Sequence, residues 1–236
     1  MPSLSDRRRW LLDGARDTIP MMVGAAPFGV IFGTLAIAAG LSPAATAAMS
    51  LLVFAGSSQF IAVSLVSAGA ALPVIWLTTF VVNLRHALYS ATLLPYARPW
   101  PLAWRWSLAF WLTDETFAVV EHRFRSLGAD GGQWYWLGSS LSMYLNWQLW
   151  TLAGVALGRS VPGLDRLGLD FAMVATFAAI VAPQLKKRPT LAAALAAGAV
   201  ALLARGLPYK LDLMLAALAG VAAGMLLERG QKREAA

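Results

Sequence analysis

The sequence predicts an all-α, polytopic helical membrane protein, and three observations carry that reading. Hydrophobic residues make up 58% of the 236 and charged residues only 13%, with a mean hydropathy of +0.62; soluble domains hold about 45–50% and about 25%. Several apolar runs approach the ~20 residues that a helix needs to cross a bilayer. Turn and charge clusters separate these runs, which lie near residues 18–39, 42–65, 72–95, 104–120, 134–157, 169–183, 191–204 and 209–227. The expected count is about eight transmembrane segments, with seven as the alternative, because the fourth, sixth and seventh runs are short enough to be tilted or re-entrant. Residues 1–236 are expected to form a single transmembrane domain, with a basic cytoplasmic N-terminal segment at 1–17 and a cytoplasmic tail at 228–236.

Charge and cysteine usage exclude several function classes. A net charge of +7 and a pI of 10.2 would raise nucleic-acid binding in a soluble chain, but here the basic residues mostly lie between apolar segments, as topology signals do. No nucleic-acid partner is expected. With no cysteine there is no disulfide and no thiolate site, and His86 and His122 alone offer little to a metal. Neither metal nor cofactor is expected. An N-terminus inside the cell and eight crossings place twelve Lys and Arg on the cytoplasmic side and six on the other, which favours cytoplasmic termini. Arg7, Arg8 and Arg9 before an apolar run, with Ala36 and Ala38 after it, imitate a secretory signal. That run is longer than a usual signal core and contains Pro20 and Pro27, so it is read as a transmembrane segment.

Taken in order, the first four segments are poorly built as simple anchors. The first carries Pro20, Gly24, Pro27, Gly29 and Gly33, and a proline inside a helix removes a donor and frees a carbonyl. Either a kinked or a broken helix follows, and breaks are where transporters aim half-helix ends at substrate or ions. The second segment holds Gly56-Ser57-Ser58-Gln59 near its middle. These side chains offer hydrogen bonds to a small polar ligand, or Ser57 and Ser58 bond to their own helix while Gln59 bridges to a neighbour. In the third, Asn83, Arg85 and His86 lie midway along an apolar run. Charge there costs on the order of 3 kcal/mol and requires a partner. The fourth segment supplies the candidates, Asp114 and Glu115. Adjacent residues point roughly 100° apart on a helix, so one acid can meet Arg85 while the other meets a cation, a proton or water; a register-fixing ion pair is the alternative. In the remaining segments, Trp134 and Trp136 mark an interface, as do Trp100, Trp104 and Trp106. Gly29 with Gly33, Gly154 with Gly158 and Gly220 with Gly224 each lie one turn apart, which permits close helix packing. The last pair sits in a face of nearly all small residues, open either to a helix of this chain or to a partner.

The runs Pro27-Phe28-Gly29 with Gly33, then Phe54-Ala55-Gly56-Ser57-Ser58-Gln59-Phe60, then Val82-Asn83-Leu84-Arg85-His86-Ala87-Leu88-Tyr89-Ser90, followed by Asp114, resemble the AzlC family of branched-chain amino acid permeases. The match is clear over about residues 13–123. The resemblance implies the large subunit of an exporter for leucine, isoleucine and valine in a bacterial inner membrane, working with a small membrane protein of the AzlD type; it turns the Gly220 and Gly224 face toward that partner.

Physics and resemblance join in one expected mechanism. The substrate carboxylate is held by half-helix N-terminal amides near Pro27 or Gly56, with Arg85 close by. Asp114 meets the ammonium or carries a coupling proton, His86 is a candidate relay, and Phe28, Phe54 and Phe60 are candidates to bound the side chain. No G-x-x-x-x-G-K-[ST] is present, so an ion gradient, most simply of protons, would drive export. Two other classes are weighed. A non-transporting assembly or sensor subunit leaves the central charges without work. An intramembrane hydrolase lacks H-E-x-x-H and a second central carboxylate, although Ser57 with His86 can be drawn as nucleophile and base.

Overall fold

The computed structural model describes residues 3–160, 185, 188–207 and 211–234. Every regular element among them is a helix: α1 (Leu4–Ala38), α2 (Pro43–Leu52), α3 (Gly56–Ser67), α4 (Leu72–Ala97), α5 (Leu102–Phe110), α6 (Asp114–Leu127), α7 (Gly132–Ser160), α8 (Arg188–Leu203) and α9 (Leu211–Glu234). The expected segment at 169–183 lies outside the described residues. The described residues fall into two compact units, one within 1–63 and 79–167, the other within 64–78 and 168–236. Of these helices, α1 alone combines the length and the apolar composition of a membrane span; α4 and α7 have the length, 26 and 29 residues, but carry polar residues along it.

In the first unit, α1 and α7 lie side by side and run in the same direction. Gly14 sits beside Tyr135 and Ser139, Gly33 beside Thr151 and Val155, and Ile37 beside Gly158. The approach is backbone to backbone: a Cβ on Gly14, Gly33, Gly138 or Gly154 would overlap a carbonyl oxygen of the other helix. Hydroxyls add to the seam, with Thr18 donating to Ser139 Oγ at 2.7 Å and Thr34 donating to the Gly154 carbonyl at 3.1 Å. This contact explains why the break expected near Pro20 and Pro27 is absent. Both prolines lie inside an unbroken 35-residue helix. In the turn that Pro27 disturbs, Asn146 of α7 donates to the Met22 carbonyl at 3.1 Å, and packing along α7 keeps the flanking turns aligned.

The breaks fall in the second and fourth segments instead, and each is a reversal. Residues 42–65, expected as one crossing, form α2, a three-residue link and α3. Near the end of α2, the Ser50 hydroxyl donates to Thr151, and the Leu51 carbonyl accepts from Tyr144. Phe54 in the link packs edge-on to Tyr144 at 4.9 Å. The chain then turns back along α7, because Gly56 and Gln59 both meet Trp147 and the Gln59 amide reaches the carbonyl of Met49, ten residues earlier. Residues 104–120 behave alike. Trp104 of α5 lies edge-on to Trp134 near the start of α7, and Trp111, after α5, reaches Tyr144 further along it. In α6 the chain returns, so that Phe124 packs against Trp136. The cause is local: Thr113 is extended and caps α6, accepting from the Thr116 amide at 3.4 Å, and Asp114 and Glu115 occupy the first turn, where the helix dipole favours acids.

The last long helix of this unit, α4, runs opposite to α7 and parallel to α6. Arg85 meets Asp114, Tyr89 stacks on Phe117, and Tyr96 packs on Phe124, before Trp100 beyond the helix reaches Trp136. Leu93, Leu108, Leu112 and Val120, nearly all fully buried, fill the space between α4, the α5–α6 hairpin and α7. In the second unit, α8 and α9 pack antiparallel. Gly220 faces Ala193 and Ala197, and Gly224 faces Ala193. The small face assigned to a partner through Gly220 and Gly224 is therefore filled by α8, whose own alanines match it.

Candidate functional site

The two hairpin tips come to the same level of α7. Tyr144 lies between them, 4.9 Å from Phe54 and 6.0 Å from Trp111 by ring centres. The middle of α4 supplies the remaining contacts. Asn83 and Arg85 are two residues apart and so point about 200° apart around the helix. Asn83 Oδ1 accepts from Ser58 Oγ at 2.5 Å, in the first turn of α3. Arg85 Nη1 pairs with Asp114 Oδ2 at 2.8 Å, in the first turn of α6. Of the two acids that the sequence offered, Asp114 takes the arginine, and Glu115 is half-buried one position further on. His86 Nδ1 lies 3.2 Å from the Asn83 carbonyl, and its ring meets Tyr89 edge-on.

The pair is not fully spent on itself. Arg85 Nε, His86 Nε2 and Asp114 Oδ1 are shielded from solvent and make no hydrogen bond among the described residues. Yet the side chains of Arg85 and Asp114 keep 26% and 40% of their surface accessible. A small molecule can therefore touch the Arg85 and Asp114 side chains, whereas the three unbonded atoms lie beneath that surface. On the Asn83 side of α4, the start of α3 presents the amides of Gly56, Ser57 and Ser58, which precede the first helical bond, Gln59 N to Ala55 O at 3.0 Å.

The other expected site residues divide. Gln59 is fully buried, and its amide is committed: it donates to Val53 O at 2.7 Å and Met49 O at 3.3 Å and accepts from Trp147 Nε1 at 3.0 Å. It adds a second hydrogen bond to two carbonyls that already accept from the Val53 and Ala55 amides, and so ties the two arms of the hairpin together. Ser57 is half-buried at the tip. Gly56 lies against the Trp147 ring, 3.3 Å from where a Cβ would stand. Gly29 packs on Trp150, Pro27 is exposed and Phe28 half-buried on α1, so this motif belongs to the long helix rather than to a tip. Phe60 is buried edge-on to Phe32, which stacks on Trp147. Sequence reasoning missed Trp147, Tyr144 and the cap Thr113. Only Thr113 carried a usable signal, since Thr-Asp-Glu ahead of an apolar run is a helix-start pattern.

Comparison with known proteins places this arrangement. A family profile described as AzlC protein matches residues 20–161, which hold both hairpins and all of α4 and α7. The chain belongs to the AzlC family. It is 36% identical over 188 residues to an uncharacterized membrane protein of Archaeoglobus fulgidus, covering 78% of this chain and 80% of that one. It is 26% identical over 187 residues to the inner membrane protein YgaZ of Escherichia coli, covering 76% and 75%. It is 30% identical over 174 residues to the branched-chain amino acid transport protein AzlC of Bacillus subtilis, covering 72% and 66%. No solved structure matches. Within this AzlC-family chain, α8 and α9 lie outside the matched region, and every residue of the polar cluster lies within it.

Proposed function

We propose that the chain is the large subunit of a secondary transporter that exports branched-chain amino acids, such as valine, leucine and isoleucine, across a bacterial inner membrane. The observation that carries this reading is the accessible Arg85 and Asp114 pair at the hairpin tips, with Arg85 Nε, His86 Nε2 and Asp114 Oδ1 unmatched among the described residues. Charge in mid-bilayer costs on the order of 3 kcal/mol, a cost that register alone does not require when apolar packing serves as well. The name of the Bacillus subtilis relative supports the substrate class.

An amino acid is a zwitterion with an apolar body, and the cluster offers complementary groups. The carboxylate binds at the Gly56, Ser57 and Ser58 amides, where the α3 dipole favours an anion, and Arg85 adds positive charge from the other side of α4. Asp114 receives the ammonium or carries the coupling proton, with Glu115 next to it and His86 as the relay. Phe54 stands at the tip to meet the side chain. No nucleotide-binding motif is present in the sequence, so a gradient of protons drives uphill export, and the chain does no covalent chemistry. Residues 1–236 act as a single transmembrane domain with the 1–17 segment and the 228–236 tail in the cytoplasm. A small AzlD-type subunit completes the transporter and docks on a face other than the one at Gly220 and Gly224.

Counterflow of labelled valine in proteoliposomes tests this reading. Uptake of label against preloaded unlabelled valine, with valine recovered intact, is the expected result. No counterflow of valine, leucine or isoleucine by the complex would overturn it.

A further inference from the structure

The directions of α1 to α7 repeat with opposite sense, and we infer that residues 4–127 are an inverted repeat: α1–α2–α3 and α4–α5–α6 are each one membrane crossing followed by a re-entrant hairpin, and the two hairpins enter from opposite faces. In the first half, α1 runs from the Trp10 end to the Gly158 end of the α1–α7 pair, and α2 and α3 rise from there to Tyr144 and turn back. In the second, α4 runs the other way to Trp100, and α5 and α6 descend from there to Tyr144 and turn back. Lengths agree. The hairpin arms have 10, 12, 9 and 14 residues, about 14–21 Å at 1.5 Å per residue, against a hydrocarbon core of ~30 Å. The helices α1, α4 and α7, with 35, 26 and 29 residues, each exceed it.

Two observations outside the helix directions support the same layout. The prolines Pro43 and Pro101, which open α2 and α5, are 58 residues apart, as are Gly56 and Asp114, which open α3 and α6. Charge is the second. If residues 42–65 and 104–120 were ordinary crossings, Arg98 and Arg105 would share a face with Arg159, opposite Arg7, Arg8, Arg9, Arg16, Arg123 and Arg125. The re-entrant layout brings Arg98 and Arg105 to the face of Arg7, so that eight arginines stand at one end and Arg159 alone at the other. That is a stronger cytoplasmic bias than six against three. Geometry agrees, because Arg7 lies 5.3 Å over the Trp134 ring, Arg123 lies 5.5 Å over the Tyr135 ring, and Trp104 adjoins Trp134. The two tryptophan groups read from the sequence thus form one belt at one interface.

Opposed hairpins whose tips meet at Tyr144 and both reach the middle of α4 supply a transporter with two gates, α2–α3 toward one face and α5–α6 toward the other. That consequence rests on the proposed transport function; the layout does not.

Site-directed labelling tests the layout without reference to transport. The natural chain has no cysteine, so A44C, P99C and D130C, all at exposed positions, are read directly with a membrane-impermeant maleimide in intact and in opened cells. The expected result is that P99C and D130C share a face and A44C lies on the other; with a cytoplasmic N-terminus, only A44C labels in intact cells. A44C and P99C sharing a face opposite D130C is the pattern of unbroken crossings, and that result, or all three on one face, would overturn the inference. A second exposed set, A45C, R98C and S126C, decides the question if a first variant does not reach the membrane.

Discussion

The α2–α3 and α5–α6 hairpins have the same shape and opposite chemistry at their tips. The first is neutral and internally satisfied: Gln59 takes up the carbonyls of Met49 and Val53, Trp147 donates to Gln59, and Tyr144 and Gln148 cover the carbonyls of Leu51 and Ser50. The second is charged and incompletely satisfied, with Asp114 holding Arg85 through one oxygen while its other oxygen has no partner among the described residues. The first helix start offers amides with no acid beside them, and the second arrives with Asp114 and Glu115 already in its first turn. A helix N-terminus left neutral attracts an anion, and one supplied with acids does not. The difference teaches that one tip is tied to itself and presents neutral amides, and the other carries the charge.

The strongest way to break this contrast is to discharge the second tip. D114A or R85A should lower valine transport at least 100-fold, while the protein still reaches the membrane in comparable amount. Each leaves a charge without its partner in low dielectric. D114E, which keeps the charge and moves it by one methylene, should recover part of the rate. Wild-type flux in both alanine variants, at equal expression, would remove the pair from the mechanism.

Discharge of the first tip should instead act on stability. Q59L keeps the bulk of the side chain but leaves the buried Trp147 indole without its acceptor, while the Met49 and Val53 carbonyls lose one of their two bonds and keep those from the Val53 and Ala55 amides. The expected loss is about 2 kcal/mol, read as a lower Tm of the detergent-solubilised protein. Flux per folded molecule should fall far less than in D114A. A normal Tm together with abolished transport in Q59L would mean that the amide serves the substrate after all.

How much of this was legible in the sequence follows from which contacts are local. Arg85 declared its need for an acid, because a charge in an apolar run has few solutions, and Asp114 was within the short set. The α6 start was written in Thr113-Asp114-Glu115. The site of the break was not legible from proline content, since Pro20 and Pro27 sit in an unbroken helix whose support comes from α7, more than a hundred residues away. Of the two readings of Gln59, the bridge to a neighbour is the one found, with Trp147 as that neighbour, but its bonds to Met49 and Val53 were not legible because they exist only once the chain has reversed. Gly220 and Gly224 had two possible occupants on pattern alone, and the antiparallel return of α9 along α8 chose the nearer one.

The smallest expected effect is also the sharpest test of how the tips divide their work. Ser58 touches α4 through one hydrogen bond, its hydroxyl to Asn83 Oδ1 at 2.5 Å, and is itself fully buried, whereas Asn83 is half-buried. S58A removes the donor but keeps the backbone amide, so a substrate carboxylate held by the α3 amides loses nothing directly. Asn83 is only half-buried, so water can replace the serine at its Oδ1, and the cost should be ~1 kcal/mol. Flux per folded molecule should therefore remain within about 3-fold of wild type; the hydroxyl of Ser57, which is half-buried and makes no bond to α4, is the internal control through S57A. If S58A instead abolished transport at unchanged Tm, a side chain of the neutral tip would be carrying the substrate, and the contrast between a tip of amides and a tip of charge would fail at its neutral end.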